Sequence, residues 1–99
     1  MTIKILQFQG VIFSIRFHPT KNQLLTVSDD RSIRLWSVDK TSCLQIFYGH
    51  TARVWDAHFL SDEHRIVSIG EDAACIIWSS DEGTILKKFE GHKGNFFEV

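Results

Sequence analysis

A histidine, a serine and an aspartate, His50, Ser68 and Asp72, supply the residue types of a nucleophilic triad. In such a triad an imidazole takes the hydroxyl proton while a carboxylate fixes the imidazole's tautomer. That chemistry needs an exposed serine on a sharp turn beside an oxyanion hole. Ser68 instead sits inside the apolar run "RIVSIG", with no G-x-S-x-G elbow around it. The three residues therefore read first as structural and not catalytic. A hydrolase is kept only as a distant third reading.

The other reactive residues form no site. His18, His58 and His64 have no metal-ligand spacing to one another or to Cys43 and Cys75, and read as turn and surface histidines. The two cysteines are too few for a secreted disulfide scaffold; both lie in apolar segments and read as buried free thiols in a reducing compartment. No phosphate loop, dinucleotide fingerprint or paired catalytic carboxylates occur. The expectation is a non-enzyme with no catalytic residue, metal or cofactor. No signal peptide is read at the N-terminus, where Gln7, Gln9 and Ser14 interrupt the apolar stretch. No run approaches the roughly 18 apolar residues that span a bilayer, so a cytoplasmic location without membrane contact is expected. A net charge of -1 gives the chain alone no electrostatic pull on nucleic acid.

What positions these residues is a repeat. Sliding the chain by 42 residues lays Phe17 on Phe59, Asp30 on Asp72, Trp36 on Trp78, Phe47 on Phe89 and Gly49-His50 on Gly91-His92 without a gap. A period of about 40 to 45 residues marked by Gly-His and Trp is the signature of four-stranded propeller blades. Repeat one then runs over about 7–48, repeat two over about 49–90, and a third opens at 91–99. The Trp55-Asp56 pair, only four residues after Gly49-His50, aligns with Phe13-Ser14 and belongs to a first strand. It is not the closing mark of a repeat.

Turn residues divide each repeat into four strands. The first reads 11–17, 23–28, 32–37 and 43–47; the second reads 53–59, 65–70, 74–79 and 84–89. The inner strands are almost wholly apolar, as a sheet covered on both faces requires. The acidic pairs at 29–30 and 71–72 fall in turns, their first member expected toward solvent; the second member joins the network that the family resemblance named below implies. The fold class is all-β, a partial β-propeller of two four-stranded blades plus the start of a third.

On these marks the chain resembles the WD-repeat family over residues 7–94. The resemblance implies a structural network of His50, Ser68, Asp72 and Trp78 in the second blade, and only Thr26, Asp30 and Trp36 in the first, where Gln7 and Phe8 replace Gly-His. Blade one should then be the less rigid, or residues 1–9 are not its natural lead-in. Partners of such propellers dock on loops at one end of the channel. Here that nominates Thr51, Arg53, Asp29, Arg31, Glu71 and Trp55, with Arg53 either a phosphate or carboxylate clamp or else a solvated or intra-propeller arginine, and Trp55 either a contact or core. Lys87, Lys88, His92 and Lys93, near Phe96 and Phe97, form a basic cluster that reads as edge protection before RNA contact.

Closed propellers have four to eight blades, so two and a fraction imply a fragment of a longer chain, or an isoform covered by other blades or by oligomerisation. The wording "GVIFSI", "DDRSIRLW", "GHTARVW" and "GEDAACIIWS" is similar to that of large multi-propeller WD-repeat proteins that support an FtsJ-like tRNA ribose 2′-O-methyltransferase. That likeness implies a non-catalytic scaffold with a methyltransferase as protein partner, tRNA reached through the whole protein, and S-adenosylmethionine held by the partner. The alternative is a generic WD-repeat adaptor of the ubiquitin-ligase or chromatin type.

Overall fold

A computed structural model of the chain describes residues 11–90. Gln7, Phe8, the opening of the third repeat, His92, Lys93, Phe96 and Phe97 lie outside the described residues. Eight strands follow one another: β1 Ile12–Phe17, β2 Gln23–Ser28, β3 Ser32–Ser37, β4 Ser42–Tyr48, β5 Val54–Phe59, β6 Arg65–Gly70, β7 Ala74–Ser79 and β8 Ile85–Glu90. They form two antiparallel four-stranded sheets, ordered β1-β2-β3-β4 and β5-β6-β7-β8. This is the all-β, two-blade architecture read from the repeat. No helix of the described residues is long and apolar enough to cross a membrane.

The side-chain period of two explains how the blades meet. In blade one Leu25 and Val27 of β2, Ile33 and Leu35 of β3 and Phe47 of β4 share one face. They join Val54, Ala57, Ile66, Ala74, Ile76 and Trp78 of blade two in a single buried cluster. Its largest members, Trp78 and Phe47, meet edge to face with ring centroids 5.6 Å apart, a favourable aromatic geometry. The larger core cluster of this two-blade unit is therefore the seam between sheets, and a smaller one gathers Leu24, Trp36 and Val38 of blade one.

The face of blade two that points away from that seam shows what a seam supplies. Val67, Ile69, Cys75, Ile77 and Phe89 are the repeat equivalents of Leu25, Val27, Ile33, Leu35 and Phe47. The blade-one set is buried, whereas Val67, Ile69, Cys75 and Ile77 are half-buried and Phe89 is 43% exposed. The cysteines differ from expectation here. Cys43 and Cys75 are free thiols, but both are half-buried, because each lies where a neighbouring sheet does not fully cover it. Burial still pushes the Cys75 thiol up from its ordinary value.

Alternating hairpins send the loop 49–53 and the β2–β3 and β6–β7 turns to one end of the unit. The β1–β2, β3–β4, β5–β6 and β7–β8 turns go to the other. Arg31 and Ala73, repeat equivalents in the first group of turns, both adopt the left-handed backbone conformation (φ 71° and 59°).

Candidate functional site

Blade two brings His50, Ser68, Asp72 and Trp78 into one chain of hydrogen bonds. The Trp78 indole can only donate, and it gives its N–H to Ser68 Oγ at 2.9 Å. The Ser68 hydroxyl is thereby turned toward His50 Nε2, 2.7 Å away. His50 Nδ1 then carries the hydrogen that meets the Asp72 carboxylate at 3.1 and 3.2 Å. Every member is thus satisfied in one direction, which is what a buried polar network needs to avoid the cost of an unpaired group.

Asp72 also accepts from the Thr51 amide at 2.8 Å and the Ala74 amide at 3.2 Å. Burial pushes its carboxyl up, but the Thr51 N–H, the His50 ring and the Ala74 N–H outweigh burial and hold it below the ordinary value. Two glycines make room for the arrangement. A Cβ on Gly49 would stand 2.7 Å from the Trp78 ring, and one on Gly70 would stand 2.7 Å from Asp72 Oδ1 and 2.8 Å from His50 Nδ1.

The same geometry removes the hydrolase reading. Ser68 is only 1% exposed, its oxygen receives the indole N–H and its hydrogen points to His50. No substrate carbonyl can reach it, so the serine, histidine and aspartate are structural.

Blade one solves the same problem with other atoms. Trp36 donates to Thr26 Oγ1 at 2.9 Å, but Asp30 is not joined to that pair. It accepts instead from the Ser28 hydroxyl, from the Ser32 hydroxyl at 2.5 Å and amide at 2.9 Å, and from Arg34 at 3.3 Å. These partners outweigh the upward push of burial and lower the Asp30 carboxyl. Reading from family marks missed Ser28, Ser32 and Arg34; the signal was Ser28 standing where blade two has Gly70. The acidic pair here is also reversed from expectation: Asp29 is half-buried and its Oδ1 accepts the Val11 amide at 3.1 Å, while Asp30 is exposed. Without the histidine, the carboxylate is pulled outward to serines and arginine on its own hairpin.

Asp56, half of the misplaced Trp-Asp pair, has a role that sequence marks did not show. Arg16 reaches it across the seam with Nε at 3.2 Å and Nη2 at 2.8 Å, and the Ser14 hydroxyl joins at 2.9 Å. His58 Nε2 and the Ala57 amide complete the shell at 3.1 and 2.9 Å. Burial opposes ionisation, but these donors hold the carboxyl far below the usual carboxylate range. Ser14 and Asp56 are repeat equivalents, so β1 is clamped to β5 at matching positions. A second link lies beyond it: His18 is buried, its ring edge packs on Phe59 with centroids 4.6 Å apart, and its Nδ1 accepts the Thr20 and Lys21 amides. His18 is a turn residue as read but not a surface one, because it caps its own turn from inside the seam.

The residues nominated for partner contact divide into two groups. Thr51 is tied to Asp72 and Asp29 to Val11, so their polar groups serve the fold. Arg53, Arg31 and Glu71 are exposed, and Arg53 and Arg31 form no ion pair among the described residues. Trp55 is 43% exposed and lies against Phe13, 38% exposed, with ring centroids 5.2 Å apart. Pairing shifts register at both places, between Ile12 and Ser14 and between Val54 and Asp56. Phe13 and Trp55 are thus the extra residues of equivalent β-bulges, a device that re-aims a side chain. Among the described residues, the loop end therefore carries Arg31 and Arg53 without ion pairs, Glu71, and a half-exposed aromatic pair.

Against known families, the chain matches the model described as "WD domain, G-beta repeat" at residues 2–37 and 41–79. It is 42% identical over 60 residues to the mouse "tRNA (34-2'-O)-methyltransferase regulator WDR6", an alignment covering 54% of this chain and 5% of that protein. It is 41% identical over 49 residues to the Danio rerio "WD repeat domain-containing protein 83", covering 50% of this chain and 16% of the other. Against the mouse "Pre-mRNA-processing factor 19" it is 40% identical over 43 residues, covering 43% and 8%. In each case the chain spans only a small part of the relative's length.

Proposed function

Because the chain belongs to the WD-repeat family, we propose that it acts as a non-catalytic scaffold within a regulatory protein that supports ribose 2′-O-methylation of the tRNA wobble nucleotide. The partner in this reading is an FtsJ-like methyltransferase in the cytoplasm. The partner holds the methyl donor, and tRNA is met through the whole protein. The observation that carries the reading is the 42% identity to a tRNA methyltransferase regulator. The loop end fits a docking role, since the Phe13–Trp55 pair offers apolar area beside Arg53 and Arg31, the mixture that protein interfaces favour at their centres.

A generic adaptor role is the second reading. It draws support from similar identity to "WD repeat domain-containing protein 83" and "Pre-mRNA-processing factor 19". Deleting the gene that encodes the chain and measuring 2′-O-methylation at the tRNA wobble ribose separates the two. Loss of the methyl group is expected; intact methylation overturns the methyltransferase reading and leaves the adaptor.

A further inference from the structure

At the end of the unit opposite the Gly-His loop, the seam opens into a cavity of about 200 Å³. Blade one contributes Lys21, Gln23, Leu35, Leu44 and Gln45, and blade two contributes Glu63, Ser80 and Asp81. Small-molecule sites occupy roughly 300–1,000 Å³, so this volume suits one inserted side chain and not a cofactor.

The lining specifies which kind. One Glu63 carboxylate oxygen accepts the Thr20 hydroxyl and lies 3.7 Å from His18 Nδ1, and Asp81 Oδ2 pairs with His64 Nδ1 at 3.2 Å. The second oxygen of each has no partner among the described residues. Ser80 is 9% exposed, and its hydroxyl also has no hydrogen-bond partner among the described residues, only its amide being engaged, with His64 O at 2.9 Å. The Gln45 amide nitrogen makes a single long contact of 3.4 Å to Ile46 O, leaving its oxygen open. The cavity is therefore rich in acceptors, and two carboxylates face one ammonium, that of exposed Lys21, which forms no ion pair among the described residues. Leu35 and Leu44 add an apolar wall.

We propose that this seam cavity receives a lysine or arginine side chain from a bound protein segment. The methylene stem lies along Leu35 and Leu44, as long basic side chains do on apolar surface. The cationic head meets Glu63 and Asp81, and its remaining hydrogens are taken by Ser80 Oγ and Gln45. Lysine brings three donors and arginine five, which the open oxygens of Glu63, Asp81, Ser80 and Gln45 can accept. Because the cavity spans both blades, an occupant also bridges the seam. This contact lies on the opposite end from the proposed methyltransferase-facing loops and does not depend on that reading.

The test is titration of the full chain with N-acetyl-lysine-N-methylamide and the arginine analogue, followed by amide chemical shifts, with norleucine and glutamate analogues as controls. Saturable shifts at Ser80, Gln45 and Glu63 are expected for the two basic probes only. Glu63→Gln with Asp81→Asn should weaken them at least tenfold, and Lys21→Ala should tighten them a few fold. Leu44→Trp, at a half-exposed position, fills the cavity without removing charge and should abolish binding even if the double variant is unstable. Equal binding of norleucine, preferential binding of glutamate, shifts away from the cavity, or affinity unchanged by Leu44→Trp each overturns the proposal.

Discussion

Replacing Asp72 by alanine tests the network at the point where most donors converge. The substitution strips the acceptor from His50 Nδ1, whose side chain is 0% exposed, and from the Thr51 and Ala74 amides. A buried donor left unpaired costs about 1–3 kcal/mol. With the imidazole and the buried Ala74 amide both affected and Thr51 able to turn to water, the total is about 3 kcal/mol. For a urea slope of about 1.5 kcal/mol/M, the midpoint should fall by about 2 M, read from indole fluorescence. The pH dependence fixes the cause. The folded carboxyl lies below its ordinary value of 3.8, so its contribution is complete above that value and fades as pH falls through the lower folded one. The gap between wild type and variant should be full at pH 7 and shrink under acid. An unchanged midpoint at pH 7, or a gap that widens toward low pH, refutes the assignment.

Other substitutions grade the same structure. Trp78→Ala should cost about 3–5 kcal/mol through the cavity it opens in the seam, while Ser68→Ala should cost about 1 kcal/mol; reversal of that order in denaturation midpoints contradicts the packing described. Gly70→Ala should destabilise by about 1–3 kcal/mol, because the new methyl meets Asp72 and His50 at 2.7 and 2.8 Å. Asp56→Ala should accelerate amide exchange in β1 and β5 more than in β3 and β7, since it removes the clamp from Arg16 and Ser14; uniform acceleration would mean global loss instead. With its carboxyl held far down, that clamp should persist in acid below the pH at which ordinary carboxylates neutralise, as followed by Arg16 side-chain resonances.

The repeat made most of the fold legible. A shift of 42 residues placed eight strands, four of them at the residues observed and the others within one residue at each end, because turn residues punctuate every hairpin. The family resemblance pointed to the residues that the structure joins around Ser68. What it did not reveal depends on contacts between repeats. Asp56 looks like a stray family mark until β1 is set beside β5. The buried state of His18 follows from Phe59 reaching it from the next blade. In blade one the family marks stopped at Asp30, since its serine and arginine partners occupy positions that carry Gly70, Ala74 and Ile76 in blade two. The bulges under Phe13 and Trp55 left no trace in a gapless self-alignment, because both repeats bulge at the same place.

The two solutions for the turn aspartate bear on how far the blades can be interchanged. A side chain at position 70 would stand 2.7 Å from Asp72 Oδ1 and 2.8 Å from His50 Nδ1, whereas Ser28, its counterpart, supplies a hydroxyl to Asp30. Each carboxylate is therefore matched to the residues of its own blade. Recombination that swaps only part of one repeat into the other should yield poorly folding chimeras, and swaps that move 28 to 34 or 70 to 76 together with the residues contacting them should be tolerated.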